Sequence, residues 1–407
     1  MSFGTRATLA EDLKHTYYFL RSFGIGLEQI NTTRTYIFAG LFPEHSHTEH
    51  LSAAIEWLCQ AQQACHSGGI AAEFSLRNGW GVAYPETSGY IIGTFLEYGK
   101  LTADPTFIDR SKRIGDWEIS IQAPTGGIYS SEIVKQTRIF NTGQVILGWC
   151  LLYQQTAIQS YLDAALRAGD YLVALQEQDG SWQQDTYCGA RTYHGRVSWS
   201  LIRLFKVSGE RKYLRAARAN LGWVVAQQTD NGWFKNCGFL DSDPIIHVIS
   251  YTLCGLLNAD LEEVDEIESL KLLPCVIKAA DALAEAILRS PARAIPGMVP
   301  SSFDAHWHGK LSDSCLTGNA QLATFYYLLA RRTNNARYKA LADLILSATK
   351  RTQIVKGSLM EIRGALPGTF PLTKGYQADS YPNWATKFLA DALLSSISTS
   401  ATFRILA

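Results

Sequence analysis

Apolar residues recur along the chain at helical spacing, in stretches of two kinds. Residues 161–182 (YLDAALRAGDYLVALQEQDGSW) represent the first kind, with apolar side chains at steps of three and four, as in Leu162, Ala165 and Ala168. This spacing predicts an amphipathic helix. Residues 196–209 (RVSWSLIRLFKVSG) represent the second kind and are less polar around the helix. A helix that is apolar on nearly all sides must be covered all round, so the pattern predicts inner helices enclosed by outer ones.

A glycine-marked turn followed by an apolar helix occurs six times and gives the organisation of the chain. The turn glycines are Gly69, Gly127, Gly180, Gly232, Gly297 and Gly364. Successive glycines are 58, 53, 52, 65 and 67 residues apart, which fits one unit of two helices joined by a turn. Six such units predict an all-α fold, an (α/α)6 toroid in which six inner helices lie within six outer helices.

We expect one large domain, because no Pro-, Ser- or Gly-rich linker divides the 407 residues. The repeat assigns residues 47–407 to the toroid and leaves residues 1–46 as an N-terminal extension with one extra helix. Hydrophobic residues form 47% of the chain and charged residues 18%, which indicates a globular protein with a large core.

Charge and cysteine usage narrow the possible partners. The 37 basic and 37 acidic side chains cancel, which argues against a nucleic-acid partner. The chain contains no run of 18 apolar residues, so we expect no membrane span. Its first residues lack the basic-then-apolar order of a secretory signal. The eight cysteines are scattered without a C-x-x-C pair. We therefore expect reduced thiols, no metal site and a cytoplasmic location.

The connectivity predicts where a ligand binds. All six glycine turns should lie at one end of the ring, and the loops after them lead into the N-termini of the inner helices. Helix N-termini carry unpaired N–H groups and a partial positive charge, which suits carboxylate, phosphate or polyhydroxyl ligands. We therefore expect an oligosaccharide or polysaccharide as the substrate, and no cofactor is indicated.

Two glycine turns carry a family resemblance. ALRAGDYLVALQEQDGSW and LGWVVAQQTDNGWF resemble the Q-x(n)-G-x-W repeat of triterpene cyclases and the hairpins of other helical toroids. These are the six-hairpin glycosidases, N-acyl-glucosamine epimerase relatives and glucuronyl C5-epimerase C-terminal domains. YPETSGYI, FNTGQV, LTGNAQ and YPNWATKF are similar to a family associated with bacterial surface-polysaccharide genes. The resemblances imply the toroid and a role near carbohydrates, but no catalytic assignment.

Glu86 is the first catalytic candidate, at the start of the first inner helix between Tyr84 and Tyr90. A carboxyl group beside aromatic rings and a helix N-terminus can serve as general acid or base. The competing interpretation is a capping acid, which helix N-termini favour for the same electrostatic reason. We predict that Glu86 is catalytic and that Tyr84 and Tyr90 contact the substrate.

Glycoside hydrolysis needs an acid and a base across the scissile bond, so a second carboxylate is expected. Asp379, ahead of the sixth inner helix, is the second catalytic candidate, and Asp243 is a candidate substrate contact. Asp241 and Asp243 precede Pro244, so an Asx turn is the competing interpretation.

Histidine, tyrosine and arginine at two other helix starts suit proton abstraction next to a carboxylate. His194 and Arg196 open the third inner helix, whereas His247 and Tyr251 lie four residues apart on the fourth and share a face. We predict catalytic roles for both histidines and Tyr251, and substrate binding by Arg196. A capping arginine and a core histidine are the alternatives.

Side chains at the remaining helix starts are predicted to bind substrate. Amides bind hydroxyl groups, an indole ring stacks on a sugar, and a lysine contacts a carboxylate. These candidates are Gln144, Gln321, Trp384 and Lys387. The small residues of Thr142–Gly143 and Thr317–Gly318 either admit a ligand or cap helices. Asp304, His306 and His308 favour a substrate loop over a metal site, because no second such cluster is present.

Three function classes stay open. A carbohydrate-active enzyme is favoured, most simply a glycoside hydrolase, with a polysaccharide lyase or uronyl C5-epimerase using Tyr, His and Arg as the alternative. A terpenoid-cyclase-like enzyme needs an acid in an Asp-x-Asp-Asp motif, and Asp241-Ser242-Asp243-Pro244 lacks the final carboxylate. A non-catalytic glycan-binding protein would have the cleft without a convergent acid and base.

Overall fold

A computed structural model describes residues 42–239, 242–290, 295–357 and 359–398. The helix expected within residues 1–46 falls almost wholly outside these residues, as does Asp241. The outer helices are α1 (His47–Ala64), α3 (Thr106–Ile121), α5 (Gln159–Ala174), α7 (Arg211–Ala226), α10 (Leu272–Arg289) and α12 (Ala336–Lys350). The inner helices are α2 (Pro85–Thr102), α4 (Ile139–Thr156), α6 (Gly195–Ser208), α8 (Ile246–Leu261), α11 (Leu316–Thr333) and α13 (Asn383–Ile397). A short helix α9 (Asp265–Glu268) follows α8, and a 3-10 turn (Thr192–His194) precedes α6.

The inner helices form a closed ring, which confirms the predicted (α/α)6 toroid. Each inner helix contacts the next one along the chain, and α13 contacts α2. Each outer helix packs on the inner helix that precedes it, and α1 accordingly packs on α13. Links such as 103–105 between α2 and α3 are short, so paired helices run antiparallel. All inner helices therefore begin at one end of the ring, which we call the entrance.

The inner helices are buried on nearly all sides, as their composition predicts. In α8, every residue from Ile246 to Ala259 is buried. Across the described parts of the chain, no helix is both long enough and apolar enough to cross a bilayer.

A glutamine amide joins each of five glycine turns to the next outer helix. The Nε2 of Gln176 donates to the carbonyls of Gly180, at 3.0 Å, and Ala216 on α7, at 2.9 Å. Gln62, Gln122 and Gln228 repeat this arrangement with α3, α5 and α10. Gln353 donates to the carbonyls of Gly364 and of His50 on α1, at 2.6 and 3.3 Å. The last turn is thereby bonded to the first outer helix. The type of hydrogen bond that joins neighbouring units therefore also closes the ring.

The turn glycines are required by backbone conformation and by space. Gly180 has φ +88°, and a methyl group on its Cα would overlap the carbonyl oxygen of Ala219. In the first two units the positive φ belongs to Gly68 and Gly126, one residue before the predicted Gly69 and Gly127. These second glycines instead give room to aromatic rings of the neighbouring outer helices.

Short strands join the loops at the entrance. The strands are β1 (Glu73–Ser75), β2 (Gly79–Trp80), β3 (Ser314–Cys315), β4 (Thr369–Phe370) and β5 (Ser380–Pro382). β1 pairs antiparallel with β2 and with β5, and Phe74 stands opposite both Trp80 and Tyr381. β3 pairs antiparallel with β4. The first and sixth units are therefore linked by a sheet as well as by helix packing.

Replacing Gly180 with alanine should lower the free energy of unfolding by more than the same change at Gly209. Both glycines have positive φ, which costs an alanine about 1–2 kcal/mol. Only Gly180 meets a backbone carbonyl, whereas nothing lies within 4 Å of a methyl group at Gly209. Chemical denaturation of both variants tests this, and equal losses would contradict the role given to the turn.

Candidate active site

Glu86 lies at the entrance because Pro85 begins α2. Proline suits the first position of a helix, and an acidic side chain in the first turn interacts favourably with the helix dipole. Only 8% of Glu86 is exposed. The Tyr84 hydroxyl lies 3.1 Å from its Oε2, in position to donate a hydrogen bond to the ionised carboxylate. The carboxyl group is therefore held in place at the entrance.

Burial raises the pKa of Glu86 to about 7, against the smaller opposing effects of the Tyr84 hydrogen bond and the Arg196 charge. No second carboxylate among the described residues contributes to this pKa shift. A carboxyl group that titrates near neutrality can hold a proton at the pH at which it must donate one. Glu86 consequently has the protonation behaviour of a general acid.

A chain of hydrogen-bonded groups leads away from Glu86 across the entrance. The hydroxyls of Tyr84 and Tyr187 are 3.1 Å apart, and Tyr187 donates to Oδ1 of Asn141 at 3.1 Å. The Nδ2 of Asn141 donates to the backbone carbonyls of Tyr129 (3.1 Å) and Ser130 (3.4 Å). Residues from the first, second and third units thus meet in one network.

Arg196 lies beneath this network, without exposed surface. Its Nε donates to Oε1 of Gln144 at 2.5 Å, and its two terminal nitrogens have no hydrogen-bond partner. The guanidinium carbon is 5.3–5.9 Å from the ring centres of Tyr90, Trp199, Tyr251 and Phe388. The predicted contacts of Arg196 and Gln144 with substrate would require these packed groups to move. In this arrangement Arg196 influences the other groups of the site through its positive charge and not through a hydrogen bond.

Tyr90 and Tyr251 face one another at the same depth. Neither hydroxyl has a hydrogen-bond partner of ordinary geometry. Because the two are close, Tyr251 raises the pKa of Tyr90, whereas Tyr90 lowers the pKa of Tyr251. Burial dominates and holds both pKa values well above the ordinary value for tyrosine. Both phenols are therefore neutral donors at neutral pH.

His247 is a second titratable group close to the entrance. Its Nδ1 donates to Oε1 of Gln321 at 2.8 Å, and its ring centre lies 4.5 Å from that of Tyr251. Burial lowers the pKa of His247 to about 4. The imidazole is therefore neutral at pH 7, and its Nε2 is available as an acceptor. The structure brings His247 and Tyr251 together on one face of α8, as their four-residue spacing predicted, and adds Gln321 from α11.

Lys387 forms a buried ion pair with Asp391, one turn further along α13. The Nζ and Oδ2 atoms are 2.5 Å apart, both residues have no exposed surface, and Thr94 donates to Asp391 at 2.7 Å. Burial lowers the pKa of Lys387 to about 8 and raises that of Asp391. Asp391 already binds this ammonium group, and Lys387 has no exposed surface. In this arrangement Lys387 therefore does not reach a substrate carboxylate, as the sequence had predicted it would.

The other two acidic candidates, Asp379 and Asp243, both have exposed surface. Asp379 precedes β5 and pairs with the exposed Arg77, at 2.8 Å, and Asp243 is exposed in the loop before α8. Trp384, at the start of α13, is largely buried with its ring centre 6.1 Å from that of Tyr84. It therefore lies near Tyr84, the residue whose hydroxyl binds Glu86.

His194 occupies a different environment from His247. It is fully buried, packs edge-on against Trp182 and Tyr193, and neither of its ring nitrogens has a hydrogen-bond partner. Burial lowers its pKa to about 3, so the ring is neutral. These contacts match the alternative of a core histidine.

The small residues at two helix starts serve helix packing in this structure. A methyl group on Gly143 would press against Val197 of α6, and one on Gly318 would overlap Ile246 of α8. The Thr142 hydroxyl accepts from the N–H of Ile128 at 2.9 Å. Close approach of neighbouring inner helices accounts for both glycines, and Thr142 binds the loop before its helix, without a ligand.

The histidine loop 304–308 lies at the surface. His308 Nδ1 is 3.0 Å from Asp304 Oδ2. Within the described residues, no group of three or more His, Cys, Asp or Glu side chains could hold a metal ion.

Tyr187, Asn141 and Asp391 are components of the site that sequence reasoning missed. Tyr187 lies in the polar loop of the third unit, where no periodicity indicates which side chain turns inward. Asn141 lies in the first turn of α4, three residues before the candidate Gln144. Its position at the start of an inner helix was the signal that could have identified it. Asp391 lies four residues after Lys387, a spacing that favours an ion pair on one helix face.

Comparison with known proteins gives a family match over half of the chain. A model described as "Beta-L-arabinofuranosidase, GH127 catalytic domain" matches residues 42–247. These residues include Glu86 and the whole hydrogen-bonded chain to Asn141. No curated protein matches significantly.

Solved structures agree in fold at low sequence identity. An unsaturated glucuronyl hydrolase specific for heparin is 15% identical over 86% of this chain and 96% of its own, with TM-score 0.68. A sugar epimerase from a ruminal bacterium is 11% identical, with TM-score 0.68 and coverage of 87% and 99%. A polysaccharide lyase is 14% identical, with TM-score 0.62 and coverage of 86% and 97%. These likenesses establish the toroid.

The raised pKa of Glu86 predicts how stability depends on pH. In the range from pH 4.5 to about 7, the folded protein keeps a proton that the unfolded chain has lost, so the free energy of unfolding falls as pH rises. Glu86→Gln mimics the protonated group at every pH, so this fall in the free energy of unfolding is absent from the variant. Relative to wild type, the variant should gain about 2–3 kcal/mol between about pH 5 and about pH 8. A constant difference in denaturant unfolding at the two pH values would contradict the shift.

Proposed function

The chain belongs to the family of the β-L-arabinofuranosidase GH127 catalytic domain, and we propose that it is a glycoside hydrolase whose general acid is Glu86. The family makes the protein a carbohydrate-active enzyme. The observation that carries the assignment of Glu86 is a buried carboxyl group at the entrance whose pKa is raised to about 7. Such a group can be protonated when a substrate arrives and ionised after the bond is cleaved.

In the proposed reaction, Glu86 protonates the oxygen of the glycosidic bond as the bond to the anomeric carbon breaks. A water molecule then supplies the oxygen that bonds to the anomeric carbon and loses a proton to a base. Tyr84 binds Glu86 and its ring lies 6.1 Å from that of Trp384, and we propose that both aromatic side chains contact the sugar. Tyr376, whose ring lies 5.6 Å from His247, completes this side of the entrance.

We propose Asp379 as the base that takes the proton from water. It lies just before β5, which leads directly into α13 at the entrance, and Arg77 binds its carboxylate. We propose direct attack by water on the anomeric carbon, which needs the two carboxyl groups about 6.5–9.5 Å apart, rather than a covalent intermediate, which needs them about 5 Å apart. Asp243 remains a candidate substrate contact from the neighbouring loop.

A lyase or C5-epimerase is the second candidate, favoured by the contact between His247 and Tyr251. The neutral imidazole can accept a proton at Nε2, and the Tyr251 phenol beside it can donate one to the leaving group on the same side of the sugar. This chemistry would require a carboxylate next to the carbon that loses its proton. His194 and Arg196 would serve it only after a change in their buried surroundings.

We propose an oligosaccharide or polysaccharide with acidic or polyhydroxylated sugars as the substrate, and β-L-arabinofuranosides are the first probes that the family suggests. A place in polysaccharide biosynthesis agrees with the resemblance of the helix starts to proteins of surface-polysaccharide gene sets. All eight cysteines are free thiols, which favours a reducing compartment such as the cytoplasm.

Glu86→Gln should lower kcat for glycosides by about 10²–10⁴, because the amide cannot donate the proton. The probes are aryl β-L-arabinofuranosides and a panel of aryl uronides and hexosides. Glu118→Gln is the matched control, since Glu118 is also fully buried with a raised pKa but lies on the outer helix α3. Wild-type turnover by Glu86→Gln would remove Glu86 from the reaction.

Hydrolysis and elimination differ in their products. In water enriched in ¹⁸O, a hydrolase should place one labelled oxygen on the anomeric carbon, which mass spectrometry of the product detects. A lyase should instead release an unlabelled, unsaturated uronate with strong ultraviolet absorbance. In that case His247→Ala should abolish activity and Glu86→Gln should have the smaller effect.

A further inference from the structure

We propose that Asn141 sets the direction of the hydrogen bonds between Glu86 and itself, so that the chain is complete only when Glu86 carries a proton. Tyr187 and Asn141 are then positioning residues that favour the acid form of Glu86. This inference rests on the proposed role of Glu86 in hydrolysis, although the direction of the bonds can be tested without activity.

The orientation of the Asn141 amide is fixed by its neighbours. Its nitrogen faces the backbone carbonyls of Tyr129 and Ser130, which can only accept hydrogen bonds. The oxygen must therefore face Tyr187, whose hydroxyl is 3.1 Å away. An amide oxygen can only accept, so the hydrogen in this contact comes from Tyr187. Because Asn141 is fully buried, this arrangement is not open to exchange by rotation of an exposed side chain.

Three contacts then require three hydrogens. The contacts are Asn141–Tyr187, Tyr187–Tyr84 and Tyr84–Glu86, each 3.1 Å long. Tyr187 gives its hydrogen to Asn141, and Tyr84 must then give its own to Tyr187. The hydrogen in the Tyr84–Glu86 contact must therefore come from the carboxyl group of Glu86. The Ser130 hydroxyl, which also reaches Tyr187, lies in none of the three contacts.

An ionised Glu86 leaves the chain one hydrogen short. Tyr84 then turns its hydrogen to the carboxylate, and the oxygens of Tyr84 and Tyr187 face each other with none between them. If Tyr187 turns to Tyr84 instead, the buried oxygen of Asn141 loses its donor. The first arrangement brings two oxygen lone pairs together 3.1 Å apart, and the second leaves the buried Asn141 oxygen without its donor. Both are unfavourable, so both favour return of the proton to Glu86.

Other groups around Glu86 do not alter this count. The charged or titratable groups that interact with it are Tyr84, Tyr90, Tyr187, Tyr251, Tyr376 and Arg196. Arg196 and a hydrogen bond donated by Tyr84 favour the ionised carboxylate. The direction that Asn141 imposes draws the Tyr84 hydrogen towards Tyr187 instead and thereby favours the acid. After Glu86 has given its proton to a leaving group, the incomplete chain promotes reprotonation and prepares the next turnover.

Tyr187→Phe is the decisive variant, because Tyr187 lies at the surface of the entrance and its loss leaves the core intact. Without its hydroxyl, Tyr84 is free to donate to Glu86, which favours the carboxylate. We expect the pKa of Glu86 to fall by about 0.5–1 unit, the size of one neutral hydrogen bond. The measurement is infrared difference titration of the carboxyl C=O stretch with ¹³C-labelled glutamate, assigned by subtracting Glu86→Gln.

The matched control is Tyr376→Phe, which removes a phenol near Glu86 that is outside the chain. Its effect on the pKa of Glu86 should be less than about 0.3 unit. An unchanged or raised pKa in Tyr187→Phe, or an equal fall in both variants, would overturn the inference. Asn141→Leu, where it folds by circular dichroism, should lower the pKa in the same direction as Tyr187→Phe.

The same variants separate this inference from the proposed function. If Glu86 is the general acid, the alkaline limb of the kcat/KM profile should move down with its pKa in Tyr187→Phe. A fall in the titrated pKa without movement of that limb would support the chain and reject Glu86 as the acid. Movement of neither would reject the chain, and the Glu86→Gln assay would then decide the function on its own.

Discussion

The shared glutamine amide is the interaction on which the ring depends. One NH₂ group donates both of its hydrogens, one to the glycine turn of its own unit and the other to the outer helix of the next. One of the two carbonyls lies in the glycine turn and the other lies within the outer helix of the next unit, so each amide joins two neighbouring units directly. It also fixes the rotation of one unit against the next. Because Gln353 makes it back to α1, the sixth unit cannot be displaced without exposing the first.

Closure determines what the entrance can contain. The loops that follow the turns come from six separate units, yet each is held by its own turn and leads into a buried helix. Glu86, Tyr187 and Asn141 are far apart in the chain but meet within hydrogen-bonding distance. A loosening of one turn would therefore change the geometry of a network formed by other units. Fold and chemistry are connected through these loops.

The sequence predicted the fold more completely than the site. Six spaced glycines and two kinds of helix sufficed for the toroid, because each unit buries the same surface and obeys the same turn chemistry. Candidates at helix starts were less certain, because residues in the first helical turn face either the cavity or a neighbouring helix. Arg196 and Lys387 have partners within the core, which no spacing reveals. Tyr187 comes from an irregular loop, whose direction depends on contacts with other units.

The balance of buried charge explains why Glu86 titrates near neutrality rather than far above it. Lys387 and Asp391 contribute no net charge, whether the shared proton lies on the amine or on the carboxyl group. Arg196 then remains as the uncompensated positive charge beneath the entrance, since no carboxylate of the described residues pairs with it. Burial favours a protonated Glu86, whereas a hydrogen bond from Tyr84 and the charge of Arg196 favour the carboxylate that remains after proton transfer. An acid must both hold and release its proton, so the two opposing effects are needed together.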